Sequence, residues 1–589
     1  MATFSRPGVY VQEVSLPQQV SLPDTSASVG AMVGALSKGN TTEPQLVPSW
    51  GDFVKTYGGL NDTYPLTWAA YNFFANGGGS LYVRRVVGSG ALPGTITFIN
   101  QAASTVTTTA TVTAASAASG TVTYTAANTF AAGQTVTITG LSTSAFNLSA
   151  VTIAAATSTQ FTVTNAATGT AVTGATATAT VTVTASAVFT LNAIDAGTWS
   201  TSYSAQVVPA GVATRFGLNI YYTSGTSTNL VESFTDLSMD PTDKYYFKSV
   251  IDTSSYVVRV SASGIAASTV MPYLGATSAT AFAGGANGAA LVRADYSGAW
   301  TSFDPIQNPL LIYAADAPYA STSTLTAQIH GDAMVYAATR DDSFVIIDTP
   351  SGLSVSAAKA QVTATMAIAQ ASTTGNIAAA YYPWVNIPDG NKIPGATRLQ
   401  APGAAMVGQY LATDKSRGVF KTPAGLGNKI ALAVSTEKQF TNAELDDINT
   451  YSDPINPIRN VPGAGIVVMG GRTMDNSPNN RYINIRRSLI FIEKQAKDLS
   501  AYAVFENNDT RLWSGLSTVL NTFLLNYWQQ GGLRGASPKE SYYVKVDETT
   551  TTWSDIQNGR VNIEIGVALQ YPAEFVVISI GQLTGSATA

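Results

Sequence analysis

The side chains that could carry chemistry in this chain are few, and their spacing suits none of it well. His330 is the only histidine, with Asp316, Ser321 and Asp332 as its nearest candidate partners for a nucleophile–base–acid set. Acyl transfer of that kind needs a serine on a sharp strand-to-helix turn, and no Gly-x-Ser-x-Gly elbow precedes a helix. The stretch Gly425-Leu426-Gly427-Asn428-Lys429 lacks the spacing and the Ser/Thr of a phosphate loop. Asp341-Asp342 and Asp446-Asp447 lack calcium-loop spacing and read as solvated acids at helix starts. Cysteine is absent, which removes thiolate catalysis, disulfides and Cys-ligated metal centres. The sequence therefore predicts no catalytic residue, no metal and no cofactor.

Asp316 and Asp348 differ from the rest. They close the short apolar runs Leu310-Leu311-Ile312-Tyr313-Ala314 and Phe344-Val345-Ile346-Ile347, which read as buried parallel strands. The C-terminal ends of such strands are where α/β domains place their sites. The helical stretch Ser356–Gln370 and a strand at Ala378–Trp384 continue a βαβ series, so an α/β domain is expected over 301–460.

With 589 residues, the chain is too long for one core, and three or four domains are expected. Charged residues are only 11% of the chain, and the formal net charge is −5. That balance argues against nucleic acid as a partner. No apolar run approaches a membrane span and no signal segment opens the chain, so a soluble, cytoplasmically made protein without membrane insertion is expected.

From Val86 to Ile194 there are 109 residues without one Asp, Glu, Lys, Arg or His. Thr and Val alternate through Thr121–Thr125, Thr135–Thr139 and Phe161–Thr164. This period of two, broken by Gly, Ser and Asn turns, predicts a small antiparallel sandwich with Thr outward, inserted at 100–187. Its uncharged strand edges call for an explanation, since charge is the usual guard against edge pairing. The flanking segments 25–99 and 188–300 are read as one discontinuous β-rich domain that includes the Leu81–Val87 strand.

Two terminal segments read as extended arms. At 1–24, Val9, Val11 and the stem of Glu13 share one face and Tyr10, Gln12 and Val14 the other, with Pro7, Pro17 and Pro23 forbidding a helix. At 571–589, Phe575, Val576, Val577, Ile578 and Ile580 follow Pro572. Each needs a sheet to accept it, its own or another subunit's. Between them, 461–570 holds a helix after Arg481-Tyr482-Ile483-Asn484-Ile485-Arg486-Arg487. A second, amphipathic helix carries Leu512, Trp513, Leu516, Val519, Leu520, Phe523, Leu524, Tyr527 and Trp528, can be capped by Asp509 or Thr510, and is stopped by Gly531-Gly532.

Three blocks in this order resemble contractile tail sheath proteins of contractile-tailed phages. They are Pro7–Val14, then Ser49–Gly59 with Phe73–Val86, then Arg472 through the amphipathic helix to Pro572-Ala573-Glu574-Phe575. The resemblance implies a multidomain α+β chain. Its parts would be an α/β centre, a β-rich region carrying the immunoglobulin-like insert, and a C-terminal domain whose sheet is completed by neighbours' arms. It implies hexameric rings stacked around a tail tube, linked by exchange of Val9, Tyr10, Val11 and Val14 and of Phe575, Val576, Val577, Ile578 and Ile580. The implied partners are the tube, baseplate and terminator or neck proteins, in the virion and, during assembly, in the host cytoplasm. From Arg472 to Lys497 six basic residues face two acidic ones, an excess of four. On that excess Arg486, Arg487, Lys494 and Lys497 are expected to face the tube. A bacteriocin or secretion-like injector, a glycan-binding surface β-protein and an α/β hydrolase remain as alternatives.

Overall fold

A computed structural model describes residues 28–100, 105–172, 178–369, 375–450, 452 and 454–574. Val9, Tyr10, Val11 and Val14, and Phe575, Val576, Val577, Ile578 and Ile580, lie outside the described residues. The chain divides into two units, 90–288 and the remainder.

In the larger unit eight strands form one sheet. Their order is Gln45–Val47, Leu81–Val86, Val29–Ala35, Leu310–Ala314, Ser343–Asp348, Ala378–Tyr382, Ile455–Val461 and Gly465–Val468. The six inner strands are parallel and each edge strand is antiparallel to its neighbour. The inner strands carry buried residues on both faces, as a parallel sheet covered by helices requires. One face packs against Trp50–Tyr57, Pro65–Ala75 and Gly403–Arg417 through Phe53, Trp68, Phe73 and Tyr410; the other buries Tyr296, Trp300, Ile329 and Val362. Ser49, Thr322 and Ser354 each cap a helix by accepting a backbone N–H at the third position on.

One sequence expectation fails here. The Leu81–Val86 strand does not join the β-rich region around the insert; it pairs with Val29–Ala35 inside the α/β sheet. The central strand Val29-Gly30-Ala31-Met32-Val33-Gly34-Ala35 was hidden by its small residues, which have low strand propensity. Packing demands them: a Cβ on Gly30 would stand 2.9 Å from the Phe73 ring, and one on Gly34 3.0 Å from the Asp316 carboxylate. The α/β domain therefore begins with the first described strand, and 29–86 belongs to it.

In the smaller unit, Thr95–Ile99 pairs with Ala187–Ala193, which pairs with Val258–Val260; a second sheet holds Ser227–Leu237, Phe216–Ser224, Tyr203–Pro209 and Thr280–Ala281. Phe189, Phe216 and Phe247 meet in the core between them, with ring centroids 4.8–6.1 Å apart.

The uncharged segment forms a seven-stranded antiparallel sheet of its own. Val122 and Tyr124 point inward, while Thr121, Thr123 and Thr125 point out. The long strand Thr105–Ala118 pairs with Thr178–Thr184 along its first half and with Thr121–Ala126 along its second, bending at an irregularity between Val112 and Ala114. The sheet thereby closes on itself, so most of its edges are removed rather than guarded by charge.

Candidate assembly site

The residues most suggestive of chemistry are shut in. His330 has no exposed surface, and burial pushes its pKa down to about 3, so it is neutral in the fold. Neither ring nitrogen has a hydrogen-bond partner among the described residues. Asp332 is held by Arg293 at 2.6 Å. Burial pushes the carboxyls of Asp316 and Asp348 up to about 7. Asp348 accepts from the Tyr313 hydroxyl (2.8 Å) and from the Gly403 amide (2.7 Å), which anchors the first turn of the Gly403–Arg417 helix to the end of a strand. Asp316 accepts from Ala35 and from Tyr296. Asp316 thereby joins Val29–Ala35 to the end of Leu310–Ala314, where the strand order reverses, while Asp348 ties the neighbouring strand to a helix. The other acidic pairs are not at helix starts as expected: Asp341 ends the Ser323–Arg340 helix at φ 66°, Asp342 pairs with Arg340, and Asp446-Asp447 sit within Asn442–Thr450.

The C-terminal region is built differently. Helices Ile483–Ser500 and Thr510–Gln529 pack through Phe491, Phe523 and Tyr527, and Asp509 caps the second by accepting from Arg511 and Leu512. Beside them Tyr542–Lys545 and Glu564–Val567 form a two-stranded antiparallel sheet. The Tyr543 ring lies over Gly566, where a Cβ would come within 2.1 Å of it. Two strands alone make a marginal sheet, and among the described residues neither outer edge is covered by a further strand.

The points where the terminal segments leave this unit are pinned. Arg472 holds Glu574 with two parallel hydrogen bonds of 2.8 and 2.7 Å, and Tyr482 donates to the same carboxylate. Glu574 raises the Arg472 pKa against the lowering effect of burial. At the other end Ser28 accepts from Arg487, and Val29 donates to Pro309. Spacing gave no hint of the Arg472–Glu574 pair, whose members are 102 residues apart.

Residues 475–582 match the phage tail sheath C-terminal domain family. The fold over 98% of this chain and 100% of the other matches the helical sheath of the anti-feeding prophage in its contracted state, at 17% identity and TM-score 0.51. A sheath tail protein from Listeria innocua matches at 11% identity and TM-score 0.53, over 92% of this chain and 95% of its own. One from Desulfitobacterium hafniense matches at 11% and 0.50, over 91% and 93%. No curated protein matches the chain in sequence. This chain has a sheath protein's fold and carries a tail sheath C-terminal domain.

Within that sheath domain the four cations expected to face a tube separate. Arg487 is buried, paired with Asp414 and stacked over the Tyr410 ring at 4.9 Å. Lys494 is also buried and paired with Asp498 at 3.0 Å, an acid one residue beyond the window that gave the excess of four. Arg486 is half-buried, 3.5 Å from Glu493. Only Lys497 is fully at the surface. Arg487 and Lys494 are therefore corrected to structural cations: their positions alternate with apolar ones on an amphipathic helix, and a buried guanidinium or ammonium requires a partner.

Proposed function

We propose that this chain is the subunit of a contractile sheath, polymerising as stacked hexameric rings around a tube and shortening to drive that tube through a cell envelope. The observation that carries the reading is the tail sheath C-terminal domain at 475–582, together with its two-stranded, open-edged sheet. In this reading the arms around Val9–Val14 and Phe575–Ile580 add strands to the corresponding sheet of neighbouring subunits. Main-chain ladders supply affinity, and alternate side chains supply register. The pairs at Arg472–Glu574 and Arg487–Asp414 fix where each arm departs, so the links persist while the bodies turn. The immunoglobulin-like insert lies on the outer wall, and the tube, baseplate and neck proteins are the partners. A phage virion is the setting we favour, and the match to an anti-feeding prophage sheath supports an injection system of the same kind as the second reading.

Negative-stain microscopy of the purified protein tests it. Long striated polymers are expected from the whole chain, and soluble monomers from a chain lacking residues 1–20. Polymers of ordinary length from the truncated chain would sink the arm exchange; no polymers from the whole chain would sink the sheath reading.

A further inference from the structure

The loop joining the two C-terminal helices carries an apolar tip. Tyr502 and Val504 are exposed and Phe505 fully so. Phe505 also adopts φ 69°, a left-handed conformation that disfavours bulky side chains. An isolated chain gains nothing from either feature, since a Gly or Asn would turn the loop without strain and without an aromatic ring in water. Glu506 follows and is exposed.

Elsewhere on the same unit lies a groove of about 350 Å³, with Ala75, Ala412 and Ala431 along it and Arg417 and Lys429 at its rim. Both cations are exposed, and neither forms an ion pair among the described residues. Gln409 lies in this groove, 94% buried, donating its amide N–H to the Lys429 carbonyl while its Oε1 has no partner. The groove thus offers room for a ring and two unspent positive charges. The tip offers a ring and a carboxylate.

We propose that the Val504-Phe505-Glu506 tip of one copy seats in the Gln409–Arg417–Lys429 groove of a second copy. Phe505 fills the groove, and Glu506 meets Arg417 and Lys429. Tip and groove are different surfaces, so the contact is head-to-tail and propagates rather than closing as a two-fold dimer. It rests on the sheath reading but is separate from strand exchange by the arms.

The chain has no cysteine, so an engineered pair reports on this contact alone. Phe505→Cys with Ala412→Cys, oxidised in assembled polymers, is expected to give a ladder of covalent multimers, and each single variant none. Phe505→Asn should melt no lower than wild type, because Asn tolerates the left-handed turn, while raising the critical concentration for polymerisation at least about tenfold. Glu506→Lys should weaken assembly, and Arg417→Glu with Lys429→Glu should restore it. Wild-type polymers with no ladder from the double-cysteine chain, or unimpaired assembly by Phe505→Asn, overturn the docking and leave the sheath reading standing. A wild-type chain that never polymerises overturns both.

Discussion

The Arg487 guanidinium and the Asp414 carboxylate meet in two hydrogen bonds of 2.8 and 2.5 Å across 73 residues of sequence, joining the first C-terminal helix to the Gly403–Arg417 helix of the central domain. Burial alone would lower the pKa of Arg487, and Asp414 together with Tyr410 and Tyr381 more than offsets it, so the cation stays charged inside the protein. A pair so placed is costly to break from one side. Arg487→Met is expected to destabilise the fold by about 3–5 kcal/mol by stranding Asp414. Arg487→Met with Asp414→Leu should recover most of that loss in denaturant melts, and a double variant as unstable as the single one would refute the pairing as the cause.

Lys497 behaves in the opposite way. Lys497→Glu should leave stability within about 0.5 kcal/mol. In the sheath reading it weakens association with an acidic tube at low salt, with the difference fading as salt rises. Cosedimentation with tubes across a salt series measures this, and identical curves for both proteins would place the tube elsewhere.

Glu574→Gln removes the charge that Arg472 holds with two hydrogen bonds. Partial exposure of the Glu574 carboxylate screens the pair, so the expected cost is about 1–2 kcal/mol. In the sheath reading assembly should suffer more than folding does, because there the residue fixes where a terminal arm departs. Equal losses in both assays would make the pair merely structural.

Stability should depend on pH through three buried groups. The carboxyls of Asp316 and Asp348 stand near 7 in the fold against about 4 unfolded. The folded state therefore holds their protons longer, and stability falls as pH rises from about 4 to 7. His330 stands near 3 against 6.5 unfolded, so its contribution falls as pH drops below 6.5. Asp348→Asn should thus gain on wild type in melting temperature from pH 4 to 7. His330→Leu should gain on it as pH falls from 6.5 toward 4. Parallel melting curves at all pH values would show these groups titrating alike in both states.

The insert should be removable at a defined seam. Ile99 and Ala187 are cross-strand neighbours, and the Asn100 amide donates to the Ser186 carbonyl at 3.1 Å. Replacing 101–185 with a two-residue Asn-Gly turn is expected to leave a folded unit that still assembles. A chain that loses its cooperative melt would show that the insert belongs to the surrounding core.

The βαβ order from Leu310 onward, the Thr-outward insert and the capped amphipathic helix were legible because each follows from a local period or cap. The Val29–Ala35 strand was not, since its glycines and alanines are dictated by Phe73 and Asp316, which the local sequence does not reveal. For the same reason a local charge count sent Arg487 and Lys494 to the surface: their partners Asp414 and Asp498 lay outside the window.

One consequence of the sheet order concerns time. Val29–Ala35 has its two neighbours at Leu81–Val86 and Leu310–Ala314, and the second leaves the ribosome about 275 residues later. At usual translation speeds that is a delay of roughly 15–55 s. Meanwhile the whole 90–288 unit, which needs no later strand, can finish folding. The middle strand of the largest sheet is thus synthesised early and completed late, a window in which a chaperone or a premature neighbour would find it half-paired.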